Sequence, residues 1–259
     1  MVISMTCKTK FIIATITICM LMVNQVFSGQ TTTKTQISES IEKIRTAEMP
    51  DIQKEAFGQI DKLTRKIKTK DLDDEILNDL VELIDVSEAY FLIQQIFENL
   101  EPHAKNIAPT LLPLLITKVR TGRTPNIRNL ALEQIVPLVR SIKPKNIDDK
   151  ILNDFIELLD IPDARFWVAQ IIGLFGSRAK STIPKLRQLL IIEECSYVDS
   201  LLYPKFSAAD GIRVALTQLG IDPPPRFFVD ADYCANQGLL KARMPGEMYE
   251  NCNVNNCID

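Results

Sequence analysis

Asp73-Asp74-Glu75-Ile76-Leu77-Asn78-Asp79-Leu80-Val81-Glu82-Leu83-Ile84-Asp85 returns 75 residues later as Asp148-Asp149-Lys150-Ile151-Leu152-Asn153-Asp154-Phe155-Ile156-Glu157-Leu158-Leu159-Asp160. Working outward from this stretch, Lys43 to Leu115 aligns with Lys118 to Leu190 without a gap, and 32 of 73 positions are identical. A repeat of this length signals stacked supersecondary units, none of which buries its apolar face alone. Within each block apolar residues recur at helical spacing in segments divided by Pro, Gly, Asn and Asp. The expected fold class is therefore all-α, with five helical pairs over 36–70, 72–106, 107–145, 147–181 and 182–220 of a repeat domain at 37–220. Each second helix carries a Gln landmark: Gln59, Gln95, Gln134, Gln170 and Gln218. Their intervals of 36, 39, 36 and 48 place a nine-residue insertion between the helices of the fifth pair, near Cys195.

In the fourth pair Asp160-Ile161-Pro162-Asp163-Ala164-Arg165, Val168-Ala169, Ile172-Gly173 and Phe175-Gly176 resemble the pattern of a HEAT repeat. First helices opening Ile107-Ala108-Pro109 and Thr182-Ile183-Pro184 fit the same family, Pro being suited to a first helical turn. The resemblance covers about 180 residues. It departs at the degenerate first pair, at Tyr90 where Arg is usual, and at Pro113 and Pro137, which are expected to kink their helices. It implies an α-solenoid presenting a concave face, lined by second helices, to a protein or peptide.

The N-terminus reads as a signal peptide over 1–28. Lys8 and Lys10 precede a 13-residue apolar run, Phe11 to Val23, too short to span a bilayer, with cleavage expected near Ser28. An uncleaved anchor is the alternative. A polar linker at 29–36 follows. The mature chain then holds 28 basic and 33 acidic residues, an acidic balance that disfavours nucleic acid. Secretion or a periplasmic location follows, with no membrane span once the leader is lost. Cys195, Cys234, Cys252 and Cys257 remain, and an even number in an exported chain suggests two disulfides in any of three connectivities. The tail at 221–259, opening on Pro223-Pro224-Pro225, holds three of them. It is expected to lie against the fifth pair, stapled by Cys195 to a tail cysteine, while Cys252 with Cys257 is an alternative small loop. Zinc is the rival, though no Cys-x-x-Cys pair or nearby His supports it.

Candidate binding residues lie on the second helices of the sister pairs, where Phe91, Leu92 and Gln95 correspond to Phe166, Trp167 and Gln170. Their apolar groove with Gln rungs suits an extended peptide or an amphipathic helix; the competing view makes these aromatics core, or covered by Phe227 and Phe228 of the tail. His103, the single histidine, reads as a solvated loop residue. Asp73, Asp74, Asp79, Glu82 and Asp85, with their copies Asp148, Asp149, Asp154, Glu157 and Asp160, read as helix caps and solvated faces in preference to an ion site. Lys62, Arg65, Lys66, Lys68 and Lys70, then Arg140, Lys143 and Lys145, form basic helix ends, and a polysaccharide suits that ridge better than nucleic acid.

No phosphate-cradling loop, nucleophile elbow or zinc-protease motif appears, so neither enzyme activity nor a cofactor or metal is expected. The reading is a binding or scaffold protein whose partner is a protein or peptide. Alternatives are a HEAT-like enzyme of the bilin-lyase kind, which the family resemblance allows and which needs a free reactive group, and a self-assembling solenoid.

Overall fold

The computed structural model describes residues 33–86, 89–197, 207–226 and 228–239. The expected leader at 1–28, residues 198–206 in the region of the expected insertion, Phe227, Cys252 and Cys257 lie outside them. The described residues hold eleven α-helices and no strand. They are α1 (Thr33–Thr46), α2 (Pro50–Thr64), α3 (Asp74–Glu82), α4 (Tyr90–Leu100), α5 (Ala104–Thr121), α6 (Pro125–Ile142), α7 (Asp149–Leu158), α8 (Arg165–Leu174), α9 (Ile183–Tyr197), α10 (Ala208–Gln218) and the short α11 (Ala231–Asn236). Odd-numbered helices from α1 to α9 are the first members of the five pairs and even-numbered ones the second. Helix α1 begins at Thr33, inside the stretch the sequence suggested as linker.

Local chemistry sets the boundaries. Asp73 caps α3 by accepting from the Ile76 N–H at 3.1 Å, and its copy Asp148 caps α7 by accepting from the Lys150 N–H at 2.7 Å. Thr124 caps α6, where Pro125 occupies the first turn and, lacking an N–H, needs no acceptor. At the end of α10, Gly220 takes φ +82, which lets the Ile221 N–H reach back to the Leu216 carbonyl and satisfy the last turn. Pro113 and Pro137 both lie inside helices that continue through them, α5 and α6.

The chain divides into two compact units, residues 1–114 and 115–259. In the first, α1 and α2 form an antiparallel pair: the Gln53 side chain at the start of α2 donates to the Ile44 and Ala47 carbonyls at the end of α1. Helix α3 lies beside α1 and α4 beside α2, like on like. The pairings run parallel, because Lys34 meets Asp73 at the N-terminal ends of α1 and α3 while Asn99 meets Asp61 and Thr64 at the C-terminal ends of α4 and α2. Ile41, Phe57, Ile60, Ile76, Leu80 and Ile93 close the core between them, each fully buried aliphatic or aromatic side chain contributing about 1.5–3 kcal/mol.

The second unit repeats the rule. Helices α6, α8 and α10 pack in succession, α7 backs α8, and α9 backs α10. Helices α8 and α10 cross closely. A Cβ added at Gly211 would stand 2.9 Å from the Cα of Phe166, and one at Gly173 would stand 3.0 Å from the Cα of Ala215. Only side chains ending at Cα permit backbones this near, so the Gly of α10 and the Gly of α8 are packing residues. Phe155 and Phe175 meet in the core at 6.1 Å, and the Arg178 guanidinium covers the Phe175 ring at 5.6 Å.

Candidate binding surface

One half of the suggested binding set falls in each compact unit. In the first, Ile93, Ile96, Phe97 and Leu100 commit one stripe of α4 to the core. Phe91 and Gln95, one helical turn apart, therefore face outward, and Leu92 is half-buried. Phe91 is 78% exposed, and its one ring neighbour among the described residues is Tyr90, edge-on at 5.5 Å. In the second unit Phe166, Trp167 and Gln170 are all half-buried. Phe166 meets Trp167 edge-on at 5.0 Å, and the backbone of Phe166 lies against Gly211. The sister aromatics thus differ in environment: Phe91 is open, whereas Phe166 sits where the next second helix, α10, crosses α8.

The repeated carboxylates do more than cap. Asp79 receives Arg45 at 3.0 Å, and 75 residues on Asp154 and Glu157 receive Arg120, both at 2.7 Å. The expected solvated face therefore carries a cross-helix arginine in each copy, bound to one carboxylate in the first and to two in the second. Helix-face reasoning missed them because each Arg lies on the preceding first helix, 34 residues away. The available signal was that Arg, Asp and Glu all persist at the 75-residue offset. His103 is likewise half-buried and hydrogen-bonded, Nδ1 to the Thr69 hydroxyl at 2.8 Å, instead of solvated. Its copy Arg178 makes the corresponding reach, donating to the Pro144 carbonyl at 2.5 Å and to that of Ile147 at 2.7 Å. Gln53 and Arg128 are a third such couple, each donating to the residue closing the preceding helix, Ala47 or Gly122.

Two carboxyl groups are displaced from their ordinary range. Partial burial alone would push Asp61 up, but hydrogen bonds from Arg65 and Asn99 outweigh it and hold the group low. Asp73 is lowered first by the Lys34 ammonium at 2.5 Å and then by the Ile76 N–H.

At the far end the tail is fastened to the fifth pair. Cys195 of α9 and Cys234 of α11 are bonded, their Cα atoms 5.6 Å apart, and with Val229, Ile191 and Leu239 they form a small satellite core. Arg213 of α10 donates to the Pro224 and Pro225 carbonyls, both at 3.1 Å, and pairs with Glu194, which is 1% exposed. The neighbouring Glu193 takes Arg165 at 2.6 Å. Among the described residues the expected staple from Cys195 to a tail cysteine is the bond to Cys234.

A cleft of about 310 Å³ lies between α1 and α2, lined by Gln36, Glu39, Ser40, Lys43, Gln59, Lys62 and Leu63. The sequence suggested Lys62 as part of a basic ridge, but not the concavity. No group of three or more His, Cys, Asp and Glu side chains suited to a metal ion occurs among the described residues, and none of their helices is long and apolar enough to cross a membrane. No protein-family model, curated protein or solved structure matches the chain.

Proposed function

We propose that the protein is a HEAT-like α-solenoid that binds a protein or peptide partner outside the cytoplasm through the open face of its second helices. Support for the architecture is the packing rule found in both units, where antiparallel pairs are laid side by side with like helices parallel. Support for the compartment is the Cys195–Cys234 bond, which fits an oxidising, extracytoplasmic setting, together with a leader-like sequence over 1–28. That bond also removes Cys195 and Cys234 from the free reactive groups that an enzyme of the bilin-lyase kind needs.

The observation that carries the reading is Phe91. A large aromatic side chain at 78% exposure on a second helix leaves most of its apolar surface in water, with Tyr90 edge-on as its ring contact among the described residues, and aromatic anchors of this kind dominate interface energetics. The test is a photo-crosslinking amino acid at position 91, with the same group at exposed Lys54 of α2 as the control. The protein is exposed to the fluid of its native compartment. One discrete adduct specific to position 91, lost in competition with wild type but not with Phe91→Ser, is the expected result. Equal labelling from both positions, or competition by Phe91→Ser equal to that by wild type, refutes the proposal.

A further inference from the structure

The 75-residue duplication turns the α1–α2 cleft into a comparison within one chain. Carried along helix α1, the same offset sets Gln36, Glu39, Ser40 and Lys43 against Leu111, Leu114, Leu115 and Lys118 of α5. In α2 it sets Gln59, Lys62 and Leu63 against Gln134, Pro137 and Leu138 of α6. In the second copy Leu111, Leu115, Lys118, Gln134 and Leu138 are all buried. In the first copy three leucines and a proline have become Gln36, Glu39, Ser40 and Lys62, and a concavity has opened on the side of the pair turned away from α3. A helix pair at the end of a stack needs a polar outer face. That need is met by exposed charges on a convex surface and does not call for a cleft.

The layout of the lining is specific. Ser40 is buried at the base, its hydroxyl donating to the Gln36 carbonyl at 2.8 Å and to Oε1 of Gln59 at 3.3 Å. Gln36, Gln59 and Leu63 are half-buried around it, the Gln59 amide also donating to Glu55 at 3.4 Å, so the floor is polar beside one apolar patch. Lys43, Lys62 and Glu39 are exposed at the rim, and neither lysine has an ion pair among the described residues. Two ammonium groups against one carboxylate leave a single net positive charge. That suits a monoanion; a phosphate dianion would meet the added repulsion of Glu39. The volume lies at the lower end of the roughly 300–1,000 Å³ typical of small-molecule sites.

We propose that this cleft binds one carboxylated sugar residue. Its carboxylate lies between Lys43 and Lys62, its hydroxyls meet Glu39 and the Gln36 and Gln59 amides, and a ring face rests on Leu63. Such a residue arises as a free uronic acid or as one unit of an acidic polysaccharide. Lys66, Lys68 and Lys70 continue exposed beyond Lys62 and suit the polymer. The site is independent of the Phe91 surface on α4, so either reading can fail without the other.

The test is calorimetric titration of the full chain with glucuronate, glucose and a uronate tetramer, with amide shifts mapping the position. Glucuronate is expected to bind at least tenfold tighter than glucose and to shift resonances in α1 and α2. Gln36→Leu/Ser40→Leu, which restores the sister residues, should abolish binding with an unchanged helical spectrum, and Lys43→Gln/Lys62→Gln should weaken it at least tenfold. A tetramer at least tenfold tighter than the monomer identifies the polymer as the source, and equal affinity the free sugar. No glucuronate binding, equal binding of glucose, shifts confined to other helices, or undiminished binding by the leucine variant overturns the proposal.

Discussion

Replacing Gly211 by alanine tests the close crossing of α8 and α10. A methyl group there would stand 2.9 Å from the Cα of Phe166 and 3.0 Å from its carbonyl carbon, backbone atoms that do not swing aside. Alanine improves helix propensity over glycine by about 1 kcal/mol. Overpacking typically costs about 1–3 kcal/mol, and backbone-to-backbone obstruction belongs in the upper half of that span. The net is a loss of about 1–2 kcal/mol for Gly211→Ala. Gly58, within α2, is the internal control: its added Cβ meets nothing within 4 Å, so Gly58→Ala keeps the propensity gain and should stabilise by about 1 kcal/mol. In a protein of this size, 1 kcal/mol moves Tm by about 2–4 °C. Calorimetry should therefore show Tm falling by about 2–8 °C in the first variant and rising by about 2–4 °C in the second. Gly211→Ala at or above wild-type stability would refute the α8–α10 geometry.

Four further outcomes are expected. Cys195→Ser/Cys234→Ser removes a cross-link spanning 39 residues, for which chain entropy gives about 4 kcal/mol, read as lost amide protection over 229–239 and a lower Tm of the second unit. Arg213→Ala withdraws the guanidinium from buried Glu194 and should cost about 3 kcal/mol or more, whereas Arg120→Ala at a half-exposed pair should cost less than about 1 kcal/mol in urea titrations. Asp61 has a depressed carboxyl, so its contribution is present above the ordinary value of 3.8 and disappears as pH falls through the lower folded value. Asp61→Asn should lower first-unit stability at pH 7 and flatten its loss below about pH 4, seen in thermal melts across pH. Finally, Phe91→Ser should leave Tm within about 1 °C while Trp167→Ala lowers it, since Phe91 is open and Trp167 half-buried.

The helices were legible because their causes are local. Asp73 and Asp148 cap where an Asp before an apolar-periodic run should, and the tail begins where Gly220 ends α10. What joins one helix to another was legible only in part. Arg45 with Asp79 is found by asking which charges survive duplication. Gln53 and Arg128 escape that question, because two unlike side chains satisfy the same helix-end carbonyl and only the geometry equates them. The sister aromatics show the other limit. Phe91 and Phe166 share a helical position, yet their burial depends on whether α10 lies across it. The cleft was hidden for the same reason in reverse, since a leucine exchanged for Ser40 reads as mere degeneracy until the space it vacates is measured.

The bond between Cys195 and Cys234 closes a covalent ring that contains the whole of α10. A single peptide bond cut anywhere between those cysteines leaves one molecule of unchanged composition, apart from an added water. Release of a fragment then requires a protease and a reductant together, and a cut on a non-reducing gel passes as intact protein. Where hydrolytic enzymes are common and reductants scarce, the segment between those cysteines is the part of the chain that survives a nick in one piece.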